Sequence, residues 1–179
     1  MKKDTFTARG LVGRNQIILE EMWQEACRTG NSLSFRIASG SMRPLIESGN
    51  VVAVSRIDPS RVRIGDIVAV QDGRNVIVHR VIGKSRAGQH LSFRHMGDAG
   101  RSSKEVQAEN LIGLVTVIKK EGGEIHLDSP RQVTGNRVLA WRLRLVDTLN
   151  RRHYRPVGRY LRMLLRPIWR LCLNFLPSH

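Results

Sequence analysis

The chain is poor in several things, and each shortage excludes something. Only two cysteines, Cys27 and Cys172, occur in 179 residues. That is too few for a disulfide framework, and neither sits in a metal-ligand spacing. The longest uncharged stretches, Asn110 to Ile118 and Leu171 to His179, are nine residues each. A membrane-spanning helix needs roughly twenty apolar residues, so a conventional transmembrane segment is not expected. Arg9, Arg14 and Glu20 interrupt any apolar run near the N-terminus, so a secretory leader is not expected either. Aromatic residues make up 5%. Acidic residues are scarce as well: 15 Asp+Glu stand against 30 Lys+Arg, a formal net charge of +15. What is present is a hydrophobic fraction of 41%, enough for a core, in a length that suits one compact domain plus an appendage.

The positive charge is unevenly placed. Residues 137–179 contain ten Arg, no Lys and one acid, Asp147, and so carry +9 of the +15. Within them Arg159, Arg162, Arg166 and Arg170 recur at helical spacing and fall within about 80° of one another on a helix. Leu161, Leu164, Leu165, Ile168 and Trp169 fill the remaining faces. An Arg stripe on an apolar cylinder with an embedded Trp suits a helix lying in an anionic membrane interface, with Pro167 kinking or dividing it. The alternative is a helix docked on the rest of the chain or on a partner. Net charge alone invites phosphate partners. Few aromatics interleave the arginines, however, so nucleic acid is not the expected partner.

Four segments follow from the pattern. Residues 1–32 contain an amphipathic helix over 11–29, with Leu11, Ile18, Met22 and Ala26 on one side and Gly30 as C-cap. Residues 33–128 form a β-rich domain. Leu33, Phe35 and Ile37 alternate with polar residues, and further short apolar runs are separated by Asp58-Pro59, Asp72-Gly73 and Gly122-Gly123. Residues 129–136 read as a linker, and 137–179 as an Arg-rich amphipathic helical tail. Asp72-Gly73 predicts a tight hairpin. Pairing outward from it sets Asp66 across from His79, with His79 on the face of Ile77 and Val81. A histidine so flanked reads by itself as a half-buried core residue.

Ser39-Gly40-Ser41-Met42-Arg43-Pro44 directly follows the first strand. A serine on such a turn is exposed, but it is a weak nucleophile without a base within hydrogen-bond reach. The order of motifs adds to this reading. After that run come Ile64-Gly65-Asp66-Ile67-Val68, Val78-His79-Arg80-Val81-Ile82, Met96-Gly97-Asp98 and Leu111-Ile112-Gly113-Leu114-Val115. Together they resemble the signal peptidase I superfamily over roughly residues 35 to 118. The resemblance implies a mainly β fold, a coiled antiparallel sheet of the signal peptidase and LexA-like type, flanked here by the N-terminal helix and the C-terminal amphipathic helices. It implies Ser41 as nucleophile and His79 as general base, as in the archaeal and endoplasmic-reticulum branch, where the common bacterial branch has lysine. It implies Asp98 as the group orienting His79, with Asp66 as the rival from the hairpin register. Ser39 would help bind the oxyanion, and Met42 and Pro44 would shape the substrate pocket. The chain departs from the family's usual pattern at Gly49-Asn50, where the family has Gly-Asp. It also has no aspartate in the stretch that follows Asp98, and no transmembrane helix before the serine.

The expected function is therefore a serine endopeptidase that cleaves a leader from a protein or peptide precursor after small residues. It would sit peripherally on an anionic membrane through the tail, at the cytoplasmic face. The alternatives are a non-catalytic basic module that binds membrane or nucleic acid, and a LexA-like self-cleaving regulator. No cofactor is expected. His90, His95 and His126 match no standard metal site and read as surface or strand histidines.

Overall fold

The computed structural model describes Trp23, Glu25 and residues 32–73, 75–100 and 102–151. Of the expected helix over 11–29, only Trp23 and Glu25 fall among them; both are helical, and Trp23 is buried in the core. The membrane-tail residues Arg159, Arg162, Arg166, Trp169 and Arg170 lie outside the described residues. Among those described, no helix is long and apolar enough to cross a membrane.

The body is a curled sheet of eight strands: β1 (Leu33–Arg36), β2 (Val51–Ser55), β3 (Ile67–Asp72), β4 (Asn75–Ala87), β5 (His90–Met96), β6 (Lys104–Gln107), β7 (Leu111–Lys120) and β8 (Gly123–His126). Their order across the sheet is β1-β2-β7-β3-β4-β5-β6, with β8 also beside β7, and every pairing is antiparallel. The chain is thus mainly β, as its alternating apolar runs predict.

Strand β3 reads as an unbroken apolar run because it is buried on both faces. Ile67 and Ala69 pack into one cluster with Val52, Val54, Val78, Ile112 and Ile118. Val68 and Val70 pack into another with Val81, Leu91 and Phe93. Register shifts at Ala53/Val54, Ala69/Val70 and Val81/Gly83 bend the strands and raise the local twist, which curls the sheet. Gly113 sits where strands come closest: a Cβ there would lie 2.5 Å from the Ser55 carbonyl oxygen.

Two expectations are corrected here. The β3–β4 hairpin closes on Asp72 and Asn75, with Gly73 at φ +62° in the loop. Gly adopts such a φ at little steric cost, and here it leads the loop instead of ending it. His79 therefore pairs with Val68, not Asp66. The slip is two residues, so His79 stays on the face predicted for it.

The second correction concerns residues 129–136. Residues 130–136 are not a linker but the opening turns of helix α1 (Pro130–Arg151). Ser129 caps it: the Ser129 Oγ accepts from the Gln132 N–H at 3.4 Å, and its carbonyl accepts from the Val133 N–H at 2.9 Å. Serine at the N-cap followed by proline at the first helical position is a helix start. Leu139, Ala140, Leu143 and Val146 are buried, and Leu143 packs with Ile82 and Met96 on the sheet. Asp147 is buried too, accepting from the Ser103 Oγ at 2.8 Å and the Arg151 Nε at 3.1 Å. The first third of the supposed tail is thus part of the folded body.

Candidate active site

Ser41 lies on a loop that follows β1 and is closed at its base. The Ile37 N–H donates to the Asn50 carbonyl and the Gly49 N–H to the Ile37 carbonyl, each at 2.8 Å. Arg36 donates to the Gly49 carbonyl at 3.1 Å. Asn50 holds the turn, its Oδ1 accepting from the Glu47 N–H at 2.8 Å. Within the loop Met42, Leu45 and Ile46 are driven into the core. Each buried side chain of this size stabilises by about 1.5–3 kcal/mol relative to exposure. Met42, 1% exposed, is therefore a core anchor and offers no open wall to a substrate, contrary to the expectation for it. Pro44 is half-buried and joined to Arg43 by a cis peptide.

The loop meets the sheet at the turn after β5. The Ser41 carbonyl accepts from the Ala99 N–H at 2.9 Å. A Cβ on Gly97 would lie 2.5 Å from the Ser41 carbonyl oxygen and 3.1 Å from His79 Nε2. Glycine is thus required between the Ser41 loop and His79, because any side chain would push them apart.

That packing brings Ser41 and His79 together. His79 Nε2 lies 3.2 Å from Ser41 Oγ, within reach for proton transfer. Ser39 Oγ lies 3.3 Å from Ser41 Oγ. Burial, aided by neighbouring His95 and Lys104, pushes the His79 pKa down to about 4. At neutral pH the ring is then uncharged, with one of its two nitrogens an acceptor.

Asp98 and Asp66 are not brought to His79. Asp98 points to the other face of the sheet, where Arg80 clamps it: Nε to Oδ1 at 2.8 Å and Nη2 to Oδ2 at 2.7 Å. Arg80 Nη1 also donates to the Gly65 carbonyl at 3.0 Å and to Asn136 Oδ1 of α1 at 2.8 Å. Both partners of the ion pair are fully buried. Strand alternation explains the miss, since His79 and Arg80 are consecutive and must face opposite ways. Asp66 Oδ2 accepts from the Arg63 N–H at 2.8 Å, and its backbone carbonyl accepts from the Val81 N–H, also at 2.8 Å.

The partner of His79 Nδ1 is His95 Nδ1, at 3.0 Å. His90 and His126 are exposed, whereas His95, a strand histidine as expected, is 2% exposed. Counting outward from the Gly88-Gln89 turn sets His95 across from Ile82, on the wrong face. The bulge at Val81/Gly83 leaves Ile82 unpaired and moves His95 opposite Val81, onto the face of His79. No local residue pattern announces that bulge; Gly83 is the one hint.

Over 79 residues the chain is 33% identical to signal peptidase I W of Bacillus subtilis (strain 168). The chain is similar to a signal peptidase. The match takes in 42% of this chain, and the chain spans 42% of the length of that signal peptidase. No family model matches the chain. The likeness to the signal peptidase agrees, at the level of the superfamily, with the resemblance seen in the sequence.

Proposed function

We propose that the protein is a serine endopeptidase with signal-peptidase-like chemistry, of the histidine-base type, acting on a precursor after small residues. The observation that carries this is the 3.2 Å approach of Ser41 Oγ to His79 Nε2. Ser41 Oγ attacks the scissile carbonyl carbon while His79 Nε2 takes its proton. The tetrahedral oxyanion is held by the Ser41 backbone N–H and the Ser39 hydroxyl. The C–N bond then breaks, and His79 returns the proton to the leaving amine. Water attacks the acyl-enzyme with His79 as base, releasing the acid and restoring Ser41.

The test is cleavage of a quenched peptide with alanine at the first and third positions before the scissile bond. The full chain cleaves it; Ser41→Ala and His79→Ala each reduce kcat by at least about a thousandfold. Undiminished cleavage by Ser41→Ala contradicts the proposal.

The outer face of α1 supports a site of action at an anionic membrane. Val138 and Trp141 are 39% and 62% exposed, and Arg137 and Arg144 are exposed beside them on the same side of the helix. A Trp flanked by cations suits a lipid interface. The full chain is expected to float with vesicles containing phosphatidylserine, and Trp141→Ala to float less. Equal recovery with neutral and anionic vesicles overturns this.

A further inference from the structure

We propose that His95 is the positioning residue for His79, a neutral imidazole standing where a Ser-His-Asp triad has its carboxylate. The inference rests on reading Ser41 and His79 as nucleophile and base, and it names what holds that base in place.

The geometry and the base role of His79 together leave one proton arrangement. The two rings meet nitrogen to nitrogen at 3.0 Å, their centroids 5.2 Å apart and their planes tilted by 43°. Two ring nitrogens at that distance share one proton, one donating and the other accepting. His79 Nε2 must be unprotonated to receive the Ser41 proton, so in the neutral ring the hydrogen sits on His79 Nδ1. His79 Nδ1–H then donates to His95 Nδ1, and the hydrogen of His95 lies on Nε2. Burial pushes the pKa of both rings down, which keeps His95 neutral and its Nδ1 an acceptor. The acids nearest in sequence reasoning are otherwise engaged: Asp98 by Arg80, and Asp66 by the Arg63 backbone.

The charges that act on the pair come from two further strands. Lys104 of β6 stands directly across from His95 and holds Asp72, at the end of β3, with Nζ 2.7 Å from Oδ2. Asp72 favours the charged form of both rings and Lys104 opposes it. When His79 takes the serine proton, its bond to His95 becomes charge-assisted and stronger. His95 thus acts mainly in the transition state, and its removal is expected to lower kcat more than it changes KM.

The experiment uses the full chain and three His95 variants, with urea midpoints confirming that each is folded. His95→Ala is expected to lower kcat on the alanine peptide by roughly 10- to 100-fold with KM little changed. His95→Asp is expected to recover most of that loss. It should also raise the acid limb of the kcat/KM profile by about one pH unit or more, because an adjacent carboxylate favours the charged form of His79. His95→Gln is expected to fall between. A readout independent of activity is the tautomer of His79, from long-range nitrogen–proton correlation spectra of the imidazoles. The hydrogen is expected on Nδ1 in the wild type and a mixture of tautomers in His95→Ala. An unchanged kcat in a folded His95→Ala, or a His79 hydrogen on Nε2 in the wild type, overturns the proposal. Should the wild type cleave no peptide, the catalytic reading fails, while the tautomer still decides the positioning claim.

Discussion

His79 and Arg80 are neighbours in β4 and serve opposite sides of the sheet. On one side His79 meets Ser41 and His95 through hydrogen bonds between half-buried or buried neutral groups. On the other Arg80 joins Asp98, Gly65 and Asn136 in a buried charged network. On the first side a half-buried serine hydroxyl meets a histidine ring nitrogen. The second has four of the five Arg80 N–H donors engaged in tying β4, the turn after β5 and α1 together. One strand thus separates the side proposed to react from a side that holds the fold together. The Met96-Gly97-Asp98 motif joins them. Asp98 anchors it from below, Gly97 lets the serine loop approach, and the Ala99 N–H fixes the Ser41 carbonyl.

The sharpest way to break this division is to disturb each side and ask which property fails. Ser41→Ala should remove activity with the urea midpoint unchanged, the largest effect expected. Asp98→Asn should do the reverse. Leaving Arg80 charged and half-partnered in the interior destabilises by about 3–5 kcal/mol, read as a lowered urea midpoint, with kcat of the remaining folded protein largely kept. A stable Asp98→Asn that has lost kcat would move Asp98 to the reactive side and contradict the assignment.

A smaller effect should appear with pH. The His79 pKa is lowered from 6.5 to about 4 on folding, so between those values the unfolded chain binds protons that the native state refuses. Stability contributed by the neutral ring is present above pH 6.5 and is lost as pH falls toward 4. The loss from His79 amounts to about 1–2 kcal/mol between pH 7 and 5, and His95 acts in the same direction. Asp66, raised by burial, acts in the opposite sense. His79→Gln should flatten the dependence; an equally steep fall in that variant would mean the histidine side is not the source.

Much of this was legible in the residues. Alternation at Leu33, Phe35 and Ile37 and the turn glycines indicated the β body, and the Ser and His motifs indicated the pair that the fold brings to hydrogen-bond distance. What escaped did so for identifiable reasons. Ser129-Pro130 is a helix start, but Gly135 and a polar run disguised it as a linker. Asp98 was assigned to His79 by motif order, although alternation along β4 gives Arg80 the other face. His95 was hidden by a one-residue bulge, a property of the sheet and not of the local sequence. Met42 was taken as a pocket wall because it adjoins the serine, yet a loop whose neighbours Leu45 and Ile46 are buried must also bury its own large apolar side chain.

The most direct measurement is intact-mass analysis of the full chain after mixing with an ester analogue of the alanine substrate and quenching with acid. Attack by Ser41 predicts an added mass equal to the acyl fragment, mapped to the peptide containing Ser41 and absent from Ser41→Ala. Turnover with an unmodified Ser41, or an adduct on another residue that survives in Ser41→Ala, would contradict the account.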